Sequence, residues 1–237
     1  VHRGDLILVS TLLGRAYAFP KNESELVTLY GNKSGSYRVS SSAIKLTRTM
    51  MAALDDMFDA FFAETGSRDY QITQGYRTYD EQAAIYDDYQ EIYGAEQGAL
   101  LAARPGYSEH HTGMAIDMNV YTASGVSYSL ATAGAADPIY GWIYENAAKY
   151  GIVLRYPDSK TTVTGITNEP WHFRYVGRGH AAYMAENGLV LEEYLALLYT
   201  HGAASPLTFT ADGVRYEVYY VPAADGETKI ELPLGAD

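Results

Sequence analysis

The chain of 237 residues has no cysteine, so any metal ion it holds must be bound by His, Asp or Glu. His110, Asp117 and His172 offer the imidazole nitrogens and carboxylate oxygen that zinc accepts, and three such ligands leave a fourth position open for water or substrate. The chemistry this allows is hydrolysis by a metal-activated water, with a neighbouring carboxylate as base. Two His and one carboxylate also suit other divalent ions. The three residues are far apart in sequence, so the group exists only if the fold brings their elements together.

Hydrophobic spacing predicts those elements. Residues 108–113 form a loop bearing His110, and 114–120 alternate as a strand with Asp117 inside it. A second strand over 171–176, entered through Glu169-Pro170, carries His172. Residues 70–74 form a strand leading into Gly75-Tyr76-Arg77, and Asp80 caps a helix running to about Tyr93, which puts Arg77 at a strand-to-helix junction. Apolar residues from Ile44 to Phe61 recur at helical spacing and predict a long core helix over 42–64, with serines as N-cap and Gly66 as stop.

Elsewhere, residues 6–10 read as a short buried strand, followed by an irregular stretch to Ser36. Asp137-Pro138 opens a helix ending at Gly151, with a strand over 152–156 after it and two short helices over 179–186 and 191–199. The tail has strand-like runs at 207–210, 214–221 and 228–232, separated by Asp212-Gly213 and Asp225-Gly226 turns. Helices and strands interleave without a regular βαβ rhythm, which argues for an α+β fold.

The formal charge of −12 comes from 29 acidic against 17 basic residues with no basic run to offset it, which argues against nucleic acid and against anionic membrane surfaces as partners. The apolar run 6–13 is far shorter than the ~20 residues a membrane span needs. Val1 in place of Met is consistent with a signal or anchor lost from the front. Tyrosine dominates the aromatics, a mixture suited to half-buried surfaces and polar clefts.

The stretch Ser108-Glu109-His110-His111-Thr112-Gly113-Met114-Ala115-Ile116-Asp117 resembles the S-x-H-x-x-G-x-A-x-D motif of the VanY-type D-alanyl-D-alanine carboxypeptidases. Glu169-Pro170-Trp171-His172 resembles their E-x-W-H motif, and Gly75-Tyr76-Arg77 with Gln82 a third element, so the likeness spans roughly residues 6–190. The resemblance implies a Hedgehog/D,D-peptidase-like fold with a central antiparallel sheet flanked by helices, plus a C-terminal β appendage. It implies zinc on His110, Asp117 and His172, Glu169 as general base and then acid, and Arg77 on the substrate's C-terminal carboxylate, for which its planar fork is suited. Ser108 and Gln82 are expected near the substrate, Ser108 alternatively behind a ligand, and Trp171 as a wall of the site. The expected organisation is an N-terminal strand and irregular segment over 1–40, a zinc peptidase domain over 41–200 and a hairpin-like extension over 201–237. The expected protein is monomeric and acts outside the cell or facing the wall on peptidoglycan stem peptides ending in D-alanine.

Singly, each of these residues has an ordinary structural explanation; three motif elements in the right order with every ligand intact do not. His111 stays a minor alternative ligand. Glu109 reads as a surface carboxylate or one behind the ligands, and His2, His180 and His201 have no metal-like company. The resemblance extends to L,D-carboxypeptidases, D,D-dipeptidases and peptidoglycan endopeptidases, which the motifs do not separate. A non-catalytic zinc-stabilised wall-binding or signalling module is a further alternative, opposed by the free carboxylate of Glu169. A serine hydrolase built on Ser108 lacks a nucleophile elbow.

Overall fold

The computed structural model describes residues 4–19 and 23–222. Its strands are β1 (Leu26–Thr28), β2 (Arg38–Val39), β3 (Lys45–Thr47), β4 (Tyr70–Gln74), β5 (Ala115–Tyr121), β6 (Ser127–Tyr128), β7 (Ile152–Leu154), β8 (His172–Tyr175), β9 (Leu207–Ala211) and β10 (Val214–Val218). Its α-helices are α1 (Arg48–Thr65), α2 (Tyr79–Tyr93), α3 (Ala95–Leu101), α4 (Leu130–Ala136), α5 (Trp142–Asn146), α6 (Thr161–Thr164), α7 (Arg178–Asn187) and α8 (Leu191–Leu198).

The central sheet runs β2-β4-β5-β8-β7, with β6 added to the far end of β5. Its pairings are antiparallel, as expected of the central sheet, except at the edge, where β2 pairs with β4 in parallel. β5 lies in the middle with Ile116, Met118 and Val120 buried on one face, as its alternation predicts. α1 packs on that face: Met50, Ala53, Leu54, Met57, Phe58 and Phe61 form its buried stripe at 3.6-residue spacing. Each such large side chain contributes roughly 1.5–3 kcal/mol by leaving water.

The helix begins later than the serines suggest. Residues 45–47 pair with β1 instead, and the Thr47 hydroxyl accepts from the Met50 N–H as N-cap. Gly66, in the left-handed conformation, ends the helix as expected. Likewise α2 is capped by Thr78, not Asp80, in a reciprocal capping box with Glu81. The single helix expected over 137–151 is three pieces: a 3-10 turn at Pro138–Gly141, α5, and a second 3-10 turn at Ala147–Tyr150, with Asp137 capping the first through the Ile139 N–H.

The strand expected over 6–10 is not one. Its apolar side chains Ile7 and Val9 are buried, but the backbone has only an isolated bridge between Ser10 and Arg15, and the Asp5 and Ile7 carbonyls accept from the Arg174 guanidinium in place of a neighbouring strand. The stretch to Ser36 is not wholly irregular either, since it contains β1.

A second apolar cluster joins α7 and α8 to the tail: Met184, Leu191, Tyr194 and Leu198 pack with Leu207, Phe209 and Val218. The tail is a two-residue hairpin, with Ala211 paired to Val214 and Asp212 and Gly213 both at positive φ. The run 228–232 and its Asp225-Gly226 turn lie outside the described residues.

Candidate active site

His110 sits in a tight 3-10 turn, Glu109–Thr112, opened by Ser108 and closed by Gly113 in the left-handed region. The φ of +68° at Gly113 is what favours glycine there; a Cβ would stand 2.7 Å from Leu26 Cδ2, the movable end of a side chain. The chain then enters β5, where Asp117 faces the cleft. β8 pairs with β5 so that Asp117 stands opposite His172. The ligand candidates thus come from one turn and two adjacent strands.

The three converge. Donor atoms of His110, Asp117 and His172 lie within 4.8 Å of one another. Asp117 Oδ2 is 3.3 Å from His110 Nε2, and Asp117 Oδ1 is 2.9 Å from His172 Nδ1. His110 Nδ1 lies 2.7 Å from the Gly75 carbonyl, a contact that places the proton on Nδ1 and leaves the Nε2 lone pair toward Asp117. Two imidazoles and one carboxylate so arranged fit a divalent cation of the zinc type.

Glu169 precedes β8 on a turn tied back by its own N–H to the Tyr156 carbonyl and by its carbonyl to the His172 N–H. Its carboxylate lies 3.6 Å from His172 Nδ1. Arg77 approaches from the β4–α2 junction: Nη2 donates to Asp117 Oδ2 at 3.0 Å and Nη1 to Gln82 Oε1 at 2.8 Å. Its Nε is buried with no hydrogen-bond partner among the described residues.

Gln82 is bonded at both ends: its amide nitrogen donates to the Ala103 carbonyl and its oxygen accepts from Arg77. It lines the same cleft as Arg77. Ser108 is buried, and its hydroxyl accepts from the His110 N–H at 3.3 Å. His111 does not join the metal group: Nδ1 contacts the Arg77 carbonyl at 2.9 Å and Nε2 accepts from the Gly106 N–H at 3.1 Å. It ties the Arg77 backbone to the loop before the turn. His180 pairs with the Tyr194 hydroxyl, remote from this group.

His110, Asp117, His172, Glu169, Arg77, Gln82 and Ser108 line a cleft of about 110 Å³, with Ile85, Leu101 and Ile166 as apolar walls and the partly exposed Trp171 also lining it. One neighbour escaped the sequence reading. Tyr156 lines the cleft and packs its ring on His172 at a centroid distance of 4.9 Å, and no motif flags it. Glu109, read as a surface carboxylate or one behind the ligands, is 1% exposed and sits behind His172.

Electrostatics separate the groups. Burial pushes the Glu169 carboxyl up to about 7, with His172 and Arg77 opposing and Asp117 reinforcing. Burial lowers His110 to about 4, aided by the Arg77 charge. Burial also works against charge on His172, but Asp117 and Glu109 outweigh it and raise the imidazole to about 9. Asp117 is held well below the usual carboxylate range: His110 and His172 overcome its burial. A metal ion competes with the His172 proton for the same nitrogen.

The fold is of the Hedgehog/D,D-peptidase-like class. A family model described as D-alanyl-D-alanine carboxypeptidase, VanY, matches residues 43–178, and the chain belongs to that family. The D-alanyl-D-alanine carboxypeptidase of Enterococcus faecium is 32% identical over 233 residues, covering 98% of this chain and 70% of the relative. The solved structure of the vancomycin-resistance D,D-dipeptidase VanXYg, in complex with a D-Ala-D-Ala phosphinate analog, matches with a TM-score of 0.78 at 30% identity, over 98% of this chain and 86% of that one. That of the D,D-pentapeptidase VanY from a VanB-type cassette, a point mutant in complex with Zn(II), matches with a TM-score of 0.62 at 31% identity, over 81% of this chain and 98% of that one.

Proposed function

We propose that this protein is a zinc-dependent D,D-carboxypeptidase that removes the terminal D-alanine from peptidoglycan stem peptides outside the cell. The observation that carries the reading is the convergence of His110, Asp117 and His172 with the Glu169 carboxylate 3.6 Å from His172 Nδ1, on the cleft side of the group. Zinc bound by the three would polarise the scissile carbonyl and lower the pKa of water toward about 7. Glu169 takes the proton of the attacking water and passes it to the leaving amine, which is the work of a carboxylate whose pKa stands near the working pH. The raised Glu169 supports that role.

Arg77 holds the carboxylate of the departing residue. Its support is the buried Nε, without a hydrogen-bond partner among the described residues, beside an Nη2 already engaged with a carboxylate, on a side chain that lines the cleft. Gln82 and the His111 link to the Arg77 carbonyl keep that fork in place. Ser108 supports the turn that presents His110. The small cleft with apolar walls suits a side chain the size of a methyl group. No helix among the described residues is long and apolar enough to cross a membrane.

The test is release of free D-alanine from a synthetic pentapeptide ending in D-Ala-D-Ala and from the matching tetrapeptide. Pentapeptide cleavage that stops with a chelator and returns with zinc is the expected result. Cleavage of the tetrapeptide alone moves the protein to the L,D class, and no cleavage of either by zinc-loaded protein rejects the carboxypeptidase reading.

A further inference from the structure

Glu109 opens the turn that carries His110, and its buried side chain lies between the cleft wall and two arginines. Arg155 Nε donates to its Oε1 at 2.8 Å, and Arg174 Nη1 lies 3.1 Å from the same oxygen. Arg155 is itself forked onto Glu192 of α8 at 2.9 and 2.6 Å, and Arg174 also holds the Asp5 and Ile7 carbonyls. Glu109 is therefore fixed from two sides through one oxygen. The other, Oε2, has no hydrogen-bond partner among the described residues.

That oxygen faces His172 Nε2 at 3.6 Å, and this nitrogen is likewise buried without a hydrogen-bond partner. A buried acceptor and a buried donor, each lacking any other partner, stand one small adjustment from a charge-assisted hydrogen bond. The opposite nitrogen of the ring, Nδ1, is the one directed at Asp117 and Glu169. An imidazole that binds metal through Nδ1 carries its proton on Nε2. A buried ion cluster is a poor source of stability compared with well-packed apolar side chains, so its presence calls for another use.

We propose that Glu109 is the positioning residue of the metal centre: it takes the Nε2–H of His172 and so fixes the ring in the tautomer and orientation that present Nδ1 to the ion. Arg155 and Arg174 hold the carboxylate at the right depth, which links the metal ligand to α8 and to the segment around Ile7. The inference rests on the zinc reading above and adds a residue that the His, Asp, His set does not contain.

The test compares wild type with Glu109→Gln, which keeps the size of the side chain. With its oxygen on Arg155, the amide turns N–H toward His172 Nε2 and favours the tautomer whose proton sits on Nδ1. Zinc affinity by chelator competition should weaken about 10- to 100-fold, measured beside the thermal unfolding of the metal-free protein. A lowered melting temperature with unchanged zinc affinity overturns the proposal, because Glu109 is then only a counter-ion for the arginines. Glu192→Gln cuts the far end of the same cluster without touching His172 and should leave zinc affinity within a few-fold; weakening equal to that of Glu109→Gln also overturns it. If Glu109→Gln does not fold, nitrogen–proton NMR of zinc-loaded wild type decides: a proton on His172 Nε2 is expected, and its absence contradicts the assignment. Wild type that binds no zinc refutes the zinc reading itself, whereas wild type and Glu109→Gln binding zinc equally refutes this inference alone.

Discussion

Asp117 and His172 stand directly opposite each other in the ladder between β5 and β8, with Asp117 Oδ1 2.9 Å from His172 Nδ1. The pairing register, and not a local motif, is what brings the two together across 55 positions of sequence. A slip of one residue would turn Asp117 to the opposite face of the sheet, among the side chains packed on α1. Asp117→Ala leaves two imidazoles without the carboxylate between them. Zinc affinity should fall more than about 100-fold, beyond the loss expected for a residue that only supports a ligand. Equilibrium dialysis against zinc measures it, and retention of tight stoichiometric binding would contradict the assignment.

Glu169 couples stability to pH in the metal-free protein. Its folded pKa of about 7 lies above the ordinary 4.5, so the folded state holds this proton more tightly than the unfolded one. Stability from this group is therefore greatest at low pH and falls as pH rises between those values. Glu169→Gln removes that loss. The chelated variant should gain roughly 1–3 kcal/mol on wild type at pH 7–8 and little at pH 4. Urea midpoints at the two pH values measure it; equal differences at both would show that burial of Glu169 has been misjudged.

The same substitution should lower kcat by about 10²- to 10⁴-fold while zinc stays bound, since the proton carrier is lost and the ligands are not. Metal content and turnover measured on one preparation separate the two effects. Loss of zinc together with activity would make Glu169 a ligand.

Arg77→Met should reduce kcat/KM on peptides with a free C-terminal carboxylate about 10- to 100-fold, the range for losing a charge-assisted hydrogen bond. On the C-terminally amidated peptide, wild type and variant should be nearly equal. A variant that loses as much on the amide as on the acid would place Arg77 in holding Asp117 rather than the substrate.

Gly113→Ala should destabilise the protein by about 1–3 kcal/mol, because φ is +68° and the new methyl meets Leu26 across β1. Thermal unfolding detects it. A neutral effect would mean that the turn holding His110 tolerates rearrangement.

The helix over α1 was legible because its apolar stripe runs long enough to fix the period, and β4 and β5 because their alternation is bounded by clear turn residues, whereas β8 does not alternate and was legible as a short run entered through Glu169-Pro170. The ligands were legible only through the motif, since the sequence holds no record of the ladder register. Burial of Glu109 was not legible: a Glu beside two His resembles a solvated loop, and its partners Arg155, just past β7, and Arg174, on β8, are distant in sequence. The apolar run at 6–10 resembles a strand, yet a guanidinium satisfies its carbonyls where a sheet partner was expected. Thr47 displaced the nearby serines as cap because residues 45–47 pair with β1, which sequence does not report, whereas Thr78 displaced Asp80 through a local Thr-x-x-Glu capping box that the sequence does carry.

The most direct test is a titration of chelated protein with zinc while D-alanine release from the pentapeptide is followed. Activity should rise to a plateau at one equivalent of zinc, and Asp117→Ala should show no rise over the same range. Full release from the chelated protein, or release by Asp117→Ala equal to wild type, would contradict a hydrolytic zinc centre on His110, Asp117 and His172.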